Sequence, residues 1–402
     1  MKKTVLLALL FLGIGGILKA DSWVQKANFG GGVRQSPIGF SIGNTGYIGE
    51  GTSTYPGYTF VNDVWSYDPT TNVWTQVASF PGTARYTLLG FSIGTKAYIG
   101  TGWDQASYLQ DFWMYDQTAN TWTQKGNFPG SGPRNSGIGF TINNIGYAGL
   151  GYDGSAALGD FWKYNDTTDT WTAMTAFGGT ARYSVFGFGI NGKGYVGCGS
   201  QTYPFTSSLN DVWAFDPVAN TWTQVASFPG SARFNTGFFT VNNIGYVGMG
   251  YDGAYKQDFY QYNPVSNTWT AKANYPDANG IGSGAEFAIG QAGYYGCGYN
   301  TTESNVATFY EYIPDGAGIN ELANNCSVSV YPNPSNGTFT LKDFGFTKSN
   351  LQIFDVSGKV VYSQEINNSS QATIDISQCS NGVYFYQLTD EKGSVRGKLV
   401  KD

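Results

Sequence analysis

Six tryptophans, Trp23, Trp74, Trp122, Trp171, Trp222 and Trp269, recur at intervals of 47 to 51 residues, and the residues around each spell the same pattern. That period exceeds those of coiled coils and leucine-rich repeats and falls where four-stranded propeller blades fall. One full copy runs from Phe239 through Gly245-Tyr246-Val247-Gly248-Met249-Gly250, then a loop, then Asp258-Phe259-Tyr260-Gln261-Tyr262, then Asn267-Thr268-Trp269-Thr270. Period-2 apolar alternation bounded by Gly, Asn, Asp and Pro is the mark of half-buried strands. In the first copy four strands are expected, at about 36–42, 47–50, 63–67 and 73–78.

The elements of the repeat do not all occur equally often. The Gly-Tyr-x-Gly-x-Gly element or a close variant occurs six times, marked by Tyr47, Tyr98, Tyr147, Tyr195, Tyr246 and Tyr294. The Asp-x-aromatic-x-aromatic element occurs at Asp63, Asp111, Asp160, Asp211 and Asp258, with a degraded sixth copy at 308–312. No tryptophan strand follows that sixth copy, but an isolated one, Asp21-Ser22-Trp23-Val24-Gln25, stands near the N-terminus. This strand is expected to supply the missing outer strand of the last blade, closing the ring and removing an open sheet edge.

The Gly-rich second strand, the Asp-x-Trp-x-Tyr third strand, the Trp-Thr fourth strand and the Phe-Pro-Gly-x-x-Arg linker resemble kelch repeats. The resemblance implies an all-β fold, a six-bladed kelch-type β-propeller over residues 21–314, followed by a separate small domain. It says little about activity, since one propeller scaffold hosts binding proteins and enzymes alike.

Both ends of the chain carry further signals. Lys2-Lys3 followed by an apolar run from Val5 to Leu18 reads as a secretory signal peptide over 1–20, with cleavage expected after Ala20. The run is too short for a comfortable membrane span, so no transmembrane segment is expected. Composition changes after Pro314: 315–325 reads as a linker, and alternating strands with turn clusters over 326–402 suggest an immunoglobulin-like β-sandwich. There Tyr331-Pro332-Asn333-Pro334, Asp355-x-x-Gly358-Lys359, Asn381-Gly382-Val383-Tyr384 and the basic last strand resemble the type A C-terminal sorting domain of type IX secretion cargo. That resemblance implies a Bacteroidota-type source, the type IX secretion machinery as a partner, and a protein secreted or attached to the outer cell surface.

Composition mainly excludes. With no histidine, a kelch-type copper oxidase, a Ser-His-Asp hydrolase and a His-ligated zinc site are ruled out as usually built. A net charge of −6 argues against a nucleic-acid partner. No catalytic residue, metal or cofactor is assigned; the Asp153-Gly154 and Asp252-Gly253 turns lack the spaced oxygens of a calcium loop. Cys198 and Cys297 share one slot in different blades and read as small buried hydrophobes. Cys326 and Cys379 lie in the exported terminal domain, where a bridge and free thiols stand as equal alternatives.

Five of the six arginines, Arg34, Arg85, Arg134, Arg182 and Arg233, follow successive tryptophans by 11 or 12 residues. The alternation of antiparallel strands puts these linkers on the same face as the long loops between second and third strands. Those loops carry aromatics, among them Trp103, Tyr108 and Tyr203. Aromatic faces beside guanidinium forks suit an acidic glycan or a peptide carboxylate. The competing reading makes the repeated arginines structural, paired with blade carboxylates such as Asp63 or Asp111. The function expected is non-catalytic binding or adhesion to a glycan or an extracellular protein. Two alternatives are kept: a sugar epimerase or lyase using Asp104 as base, and a structural surface spacer.

Overall fold

The computed structural model describes residues 21–315 apart from 55, 56 and 303, and 328–402 apart from 343–347, 356–358, 368, 370 and 390–393. The signal-peptide and linker readings, and one partner of the Cys326–Cys379 pair, lie outside the described residues; Cys379 itself carries a half-buried free thiol. By its contacts the chain divides into two units, 19–315 and the remainder. No helix among the described residues is long and apolar enough to cross a membrane.

The larger unit consists of six antiparallel four-stranded sheets. The first blade is Ile38–Ile42, Thr45–Gly49, Val64–Asp68 and Val73–Val77, within two or three residues of each boundary expected from the sequence. The sixth blade is built from Ala285–Ile289, Ala292–Gly296, Phe309–Ile313 and the N-terminal strand Ser22–Gln25, with Trp23 opposite Tyr312. The ring is therefore closed by joining its two ends within one sheet, and the expected splice is present.

The repeated residues explain why the blades stack. The first glycine of the Gly-Tyr-x-Gly element lies flat beneath a phenylalanine of the preceding blade: a Cβ on Gly46 would come within 2.1 Å of the Phe287 ring, and on Gly293 within 2.0 Å of Phe239. Glycine lets two sheets approach that closely, and the second blade has the next smallest residue, the buried Ala97, at this position. Each fourth-strand tryptophan packs edge-on against neighbouring rings, as Trp74 does on Phe29 and Phe309, both with centroids 5.0 Å away. The indoles also reach back one blade, with Trp122 Nε1 donating to the Ala78 carbonyl at 2.9 Å and Trp269 Nε1 to Ala226 at 2.9 Å. Beside them, Asn72, Asn120 and Asn267 each accept a tyrosine hydroxyl of their own blade and a backbone N–H of the blade before. At the closing seam Asp21 takes this role, accepting from Tyr312 Oη at 2.9 Å and from the Ala273 N–H at 2.6 Å.

Around the mouth of the central channel a second closure runs through the backbone. Ser36, Thr87, Ser136, Ser184, Asn235 and Ser283, equivalent residues in the six copies, all adopt positive φ between 50° and 56°. Each donates its N–H to the carbonyl of its counterpart in the preceding blade, at 2.8 to 3.2 Å, and the last bond returns from Ser36 to Ser283. Buried backbone groups that lack strand partners are thereby satisfied in a closed circle.

In the smaller unit, a three-stranded sheet (Ser329–Tyr331, Thr338–Lys342, Gln371–Asp375) and a four-stranded sheet (Val360–Asn367, Lys348–Phe354, Gly382–Thr389, Ser394–Lys401) share one core. Phe339, Leu341, Leu351, Ile353, Ile374, Leu388 and Leu399 fill it. This is the expected small β-sandwich.

Candidate ligand-binding face

On one face of the ring, the loops joining second to third strands lie against the linkers that enter each blade. In every copy an isolated β-bridge ties the two together, as between Gln35 and Thr52, Tyr86 and Trp103, Asn135 and Tyr152, and Tyr183 and Ser200. Arginines and loops therefore share a face, but at different depths.

The arginines occupy the deeper layer. All five are at most 1% exposed. Each guanidinium is held by the aspartate of its own blade's third strand: Arg34 by Asp63, Arg85 by Asp111, Arg134 by Asp160, Arg182 by Asp211 and Arg233 by Asp258. In the second to fifth blades the grip is a two-pronged fork, as where Arg134 Nη1 and Nη2 donate to Asp160 Oδ1 at 2.5 Å and Oδ2 at 2.8 Å. Nη1 also donates to the carbonyl that follows the Gly-Tyr-x-Gly turn, that of Thr101, Leu150, Cys198 or Met249. The linker phenylalanine lies over each guanidinium, 4.7 Å from ring centroid to Cζ for Arg134 on Phe128. The aspartate's remaining lone pair takes the indole N–H two residues on, Trp65, Trp113, Trp162 or Trp213, at 2.7 to 3.0 Å. Burial pushes the Asp111, Asp160 and Asp211 carboxyls upward, but the arginine forks and indole donors outweigh it and leave them below the usual carboxylate range.

Buried inside the wall and paired with blade aspartates, Arg34, Arg85, Arg134, Arg182 and Arg233 do not present a cationic clamp to solvent, which corrects the ligand-contact reading in favour of the structural one. The sixth copy carries an internal sign of this. It lacks the arginine, and there Thr308 replaces the aspartate and Tyr275 the phenylalanine. Residues that disappear together from one copy are parts of one contact.

The outer layer is aromatic. Tyr58, Phe60, Tyr86 and Trp103 pack mutually with centroids 5.4 to 6.3 Å apart. Trp103 bridges to Tyr108, and Tyr108 meets Tyr152 at 6.0 Å. From Tyr152 the contacts continue through Tyr183 and Phe205 to Phe234, whose ring stacks on Phe205 at 4.0 Å and 8°. They go on through Tyr251 and Tyr255 to Tyr299. Of the three aromatics singled out from the sequence, Tyr203 is 67% exposed, stacked at its edge of the belt against Tyr152 at 6.1 Å. Trp103 and Tyr108 are half-buried within the belt. Burial, followed by the fields of Tyr152, Tyr203 and Asp153, pushes the Tyr108 hydroxyl up.

The charge on this face is mostly acidic. The carboxylates of Asp104 and Asp153 accept backbone N–H groups of their own turns, Asp104 from Ala106 at 2.9 Å and Ser107 at 2.7 Å. Asp153 is lowered chiefly by the Ala156 N–H; at Asp252, burial is outweighed by Ser231 and Lys256. The lowered carboxyls of Asp153 and Asp252 are poor general bases. Lys26 and Lys256, the lysines of the linkers and loops, are bridged to Glu311 at 2.8 Å and Asp252 at 3.0 Å. Among the described residues no cluster of His, Cys, Asp or Glu is arranged to hold a metal ion.

Comparison with known proteins places this architecture. Kelch-motif models match residues 46–81 and 194–229, and the model of a secretion system C-terminal sorting domain matches 329–402. Among solved structures, that titled "Structure of YjhT" superposes with a TM-score of 0.59 at 14% identity, covering 71% of this chain and 95% of the other. No curated protein matches significantly in sequence. The chain thus carries kelch motifs within a six-bladed β-propeller and, over 329–402, a C-terminal sorting domain of the type IX secretion system. Such a domain implies dealings with the secretion machinery and export, to secretion or to the cell surface.

Proposed function

We infer that the protein is a non-catalytic binding or adhesion module working outside the cell, and that its ligand sits on the aromatic belt of the loop face. In this reading residues 1–20 direct the first export step and are removed, and 326–402 serve as the address for the second. The observation that carries the reading is the layering of the face: cations locked beneath, aromatics outside, with Tyr203 stacked on Tyr152 and largely exposed. Stacking surfaces with few unpaired charges suit the apolar faces of neutral sugars, or an aromatic or aliphatic patch of a protein, better than an acidic ligand. With Lys26 and Lys256 ion-paired to Glu311 and Asp252, the expectation moves away from acidic glycans.

A glycan array probed with the full chain tests this, alongside Tyr203→Ala and Trp103→Ala variants. Retention of neutral glycans by the wild type, reduced at least about tenfold by Tyr203→Ala, supports the reading. Retention unchanged in both variants, or confined to acidic glycans, overturns it.

A further inference from the structure

The six innermost strands enclose a central cavity of about 550 Å³, within the size range of small-molecule sites. Its wall is nearly all small or apolar: Gly39, Gly90, Gly139 and Gly187 occupy equivalent positions in the first four blades. The side-chain direction there points toward the neighbouring inner strand, and a Cβ on Gly39 would come within 2.5 Å of the Glu286 carbonyl oxygen. Four copies therefore keep this position empty.

The other two do not. Phe238 stands there in the fifth blade and Glu286 in the sixth, both half-buried and both lining the cavity. Glu286 is the only ionisable residue on that wall, and its carboxyl has neither a hydrogen bond nor an ion pair among the described residues. It stands on the strand Ala285–Ile289, three residues after Ser283 of the mouth ring. Burial without a neighbouring cation pushes this carboxyl well above its ordinary range, and Glu286 in turn helps raise the buried Tyr295 hydroxyl. An unpaired carboxyl in a cavity is costly to the ring and has no role in closing it. A carboxylate and an aromatic ring lining one cavity are, however, the two kinds of group that recognise an ammonium. Hydroxyls of Ser41, Ser92 and Thr240 on the same wall can satisfy the polar remainder of such a molecule.

We propose that the central cavity is a binding site for a small organic cation, a primary or quaternary amine, with Glu286 as its counter-ion and Phe238 as its aromatic wall. The site is separate from the aromatic belt and does not depend on what the belt binds. A net charge of −6 favours the approach of cations to this protein.

The test is calorimetric titration of the full chain with choline and, separately, with glucosamine. The neutral choline isostere 3,3-dimethyl-1-butanol serves as control. Binding of at least one cation, weakened about tenfold or more in Glu286→Gln and unchanged in the loop-face variant Asp104→Asn, is the expected result. Phe238→Leu should weaken choline more than glucosamine. No binding of either cation by the folded wild type, equal binding of the neutral isostere, or an unaltered affinity in Glu286→Gln would overturn the proposal. Glu286→Gln keeps the shape of the side chain and removes an unpaired acid, so its melting temperature, measured alongside, should not fall.

Discussion

The second to fifth blades and the seam between the sixth and first have the same strands but brace their linkers differently. In the former, one arginine ties the linker phenylalanine, a third-strand aspartate and a turn carbonyl into one cluster, which an indole joins in the second to fourth blades. At the seam the cluster decays in stages. Arg34 grips Asp63 through Nη2 alone, leaving Nε and Nη1 buried without partners, and the sixth copy has no arginine at all. Other buried polar atoms without protein partners gather nearby, among them Gln35 Oε1, Glu50 Oε1, Asn305 Oδ1, Thr308 Oγ1 and the Tyr275 hydroxyl. What the seam has instead is the splice strand and Asp21. Ring closure is thus achieved by chain topology where side-chain bracing is weakest.

This contrast can be attacked at several points. The largest effect is expected from Arg182→Ala, which strands Asp211 beside a buried void. Breaking a buried pair costs about 3 to 5 kcal/mol, and the melting temperature measured by near-UV circular dichroism should fall by roughly 5 to 15 °C. A fall no greater than that of a surface substitution would remove the bracing account. Next comes Asp21→Ala, which deletes the bonds to Tyr312 and Ala273 at the splice. A loss of about 1 to 3 kcal/mol is expected, and hydrogen exchange should rise first in Ser22–Gln25 and Phe309–Ile313. Exchange that rises evenly around the ring would show that the seam is not the weak point.

The smallest effect separates the two regions by pH. Asp111, Asp160 and Asp211 are held below the ordinary carboxyl value of 3.8, so their contribution is present at neutral pH and is lost as pH falls through their lowered values. Glu50 is raised above 4.5, chiefly by burial, against the Arg85 N–H, Arg85 and Arg34 charges that lower it and the Asp63 charge that raises it. Its sign is the opposite: the stability it gives is full below about pH 4.5 and is lost as pH rises through its folded value. Glu50→Gln should match the wild type at pH 4 and surpass it slightly at pH 8 in thermal melts. A variant that is less stable at pH 8 would contradict this assignment.

Much of the ring was legible in the chain because its determinants are local and repeated. The Gly-Tyr-x-Gly element, the Asp-x-aromatic-x-aromatic element and the orphan Trp23 strand gave the blades, their count and the splice. The pairing of arginines with blade aspartates was also within reach, since both drop out of the sixth copy, but repetition alone did not decide between brace and ligand contact. The depth of a side chain is not encoded by its spacing: Arg134 and Tyr203 both come from this face, and one is fully buried while the other is 67% exposed. Glu286 escaped notice for the opposite reason. It breaks the pattern of Gly39, Gly90, Gly139 and Gly187 at a position where only the closed ring reveals a cavity.

The central claim is that the repeated arginines brace the ring and are not part of a binding surface. A double-mutant cycle on Arg134→Met and Asp160→Leu, read by denaturant unfolding of the full chain, tests it most directly. The account predicts that each single change is severe and that the double variant recovers part of the loss, with a coupling of about 2 kcal/mol or more. Additive, small losses accompanied by loss of ligand retention would contradict it.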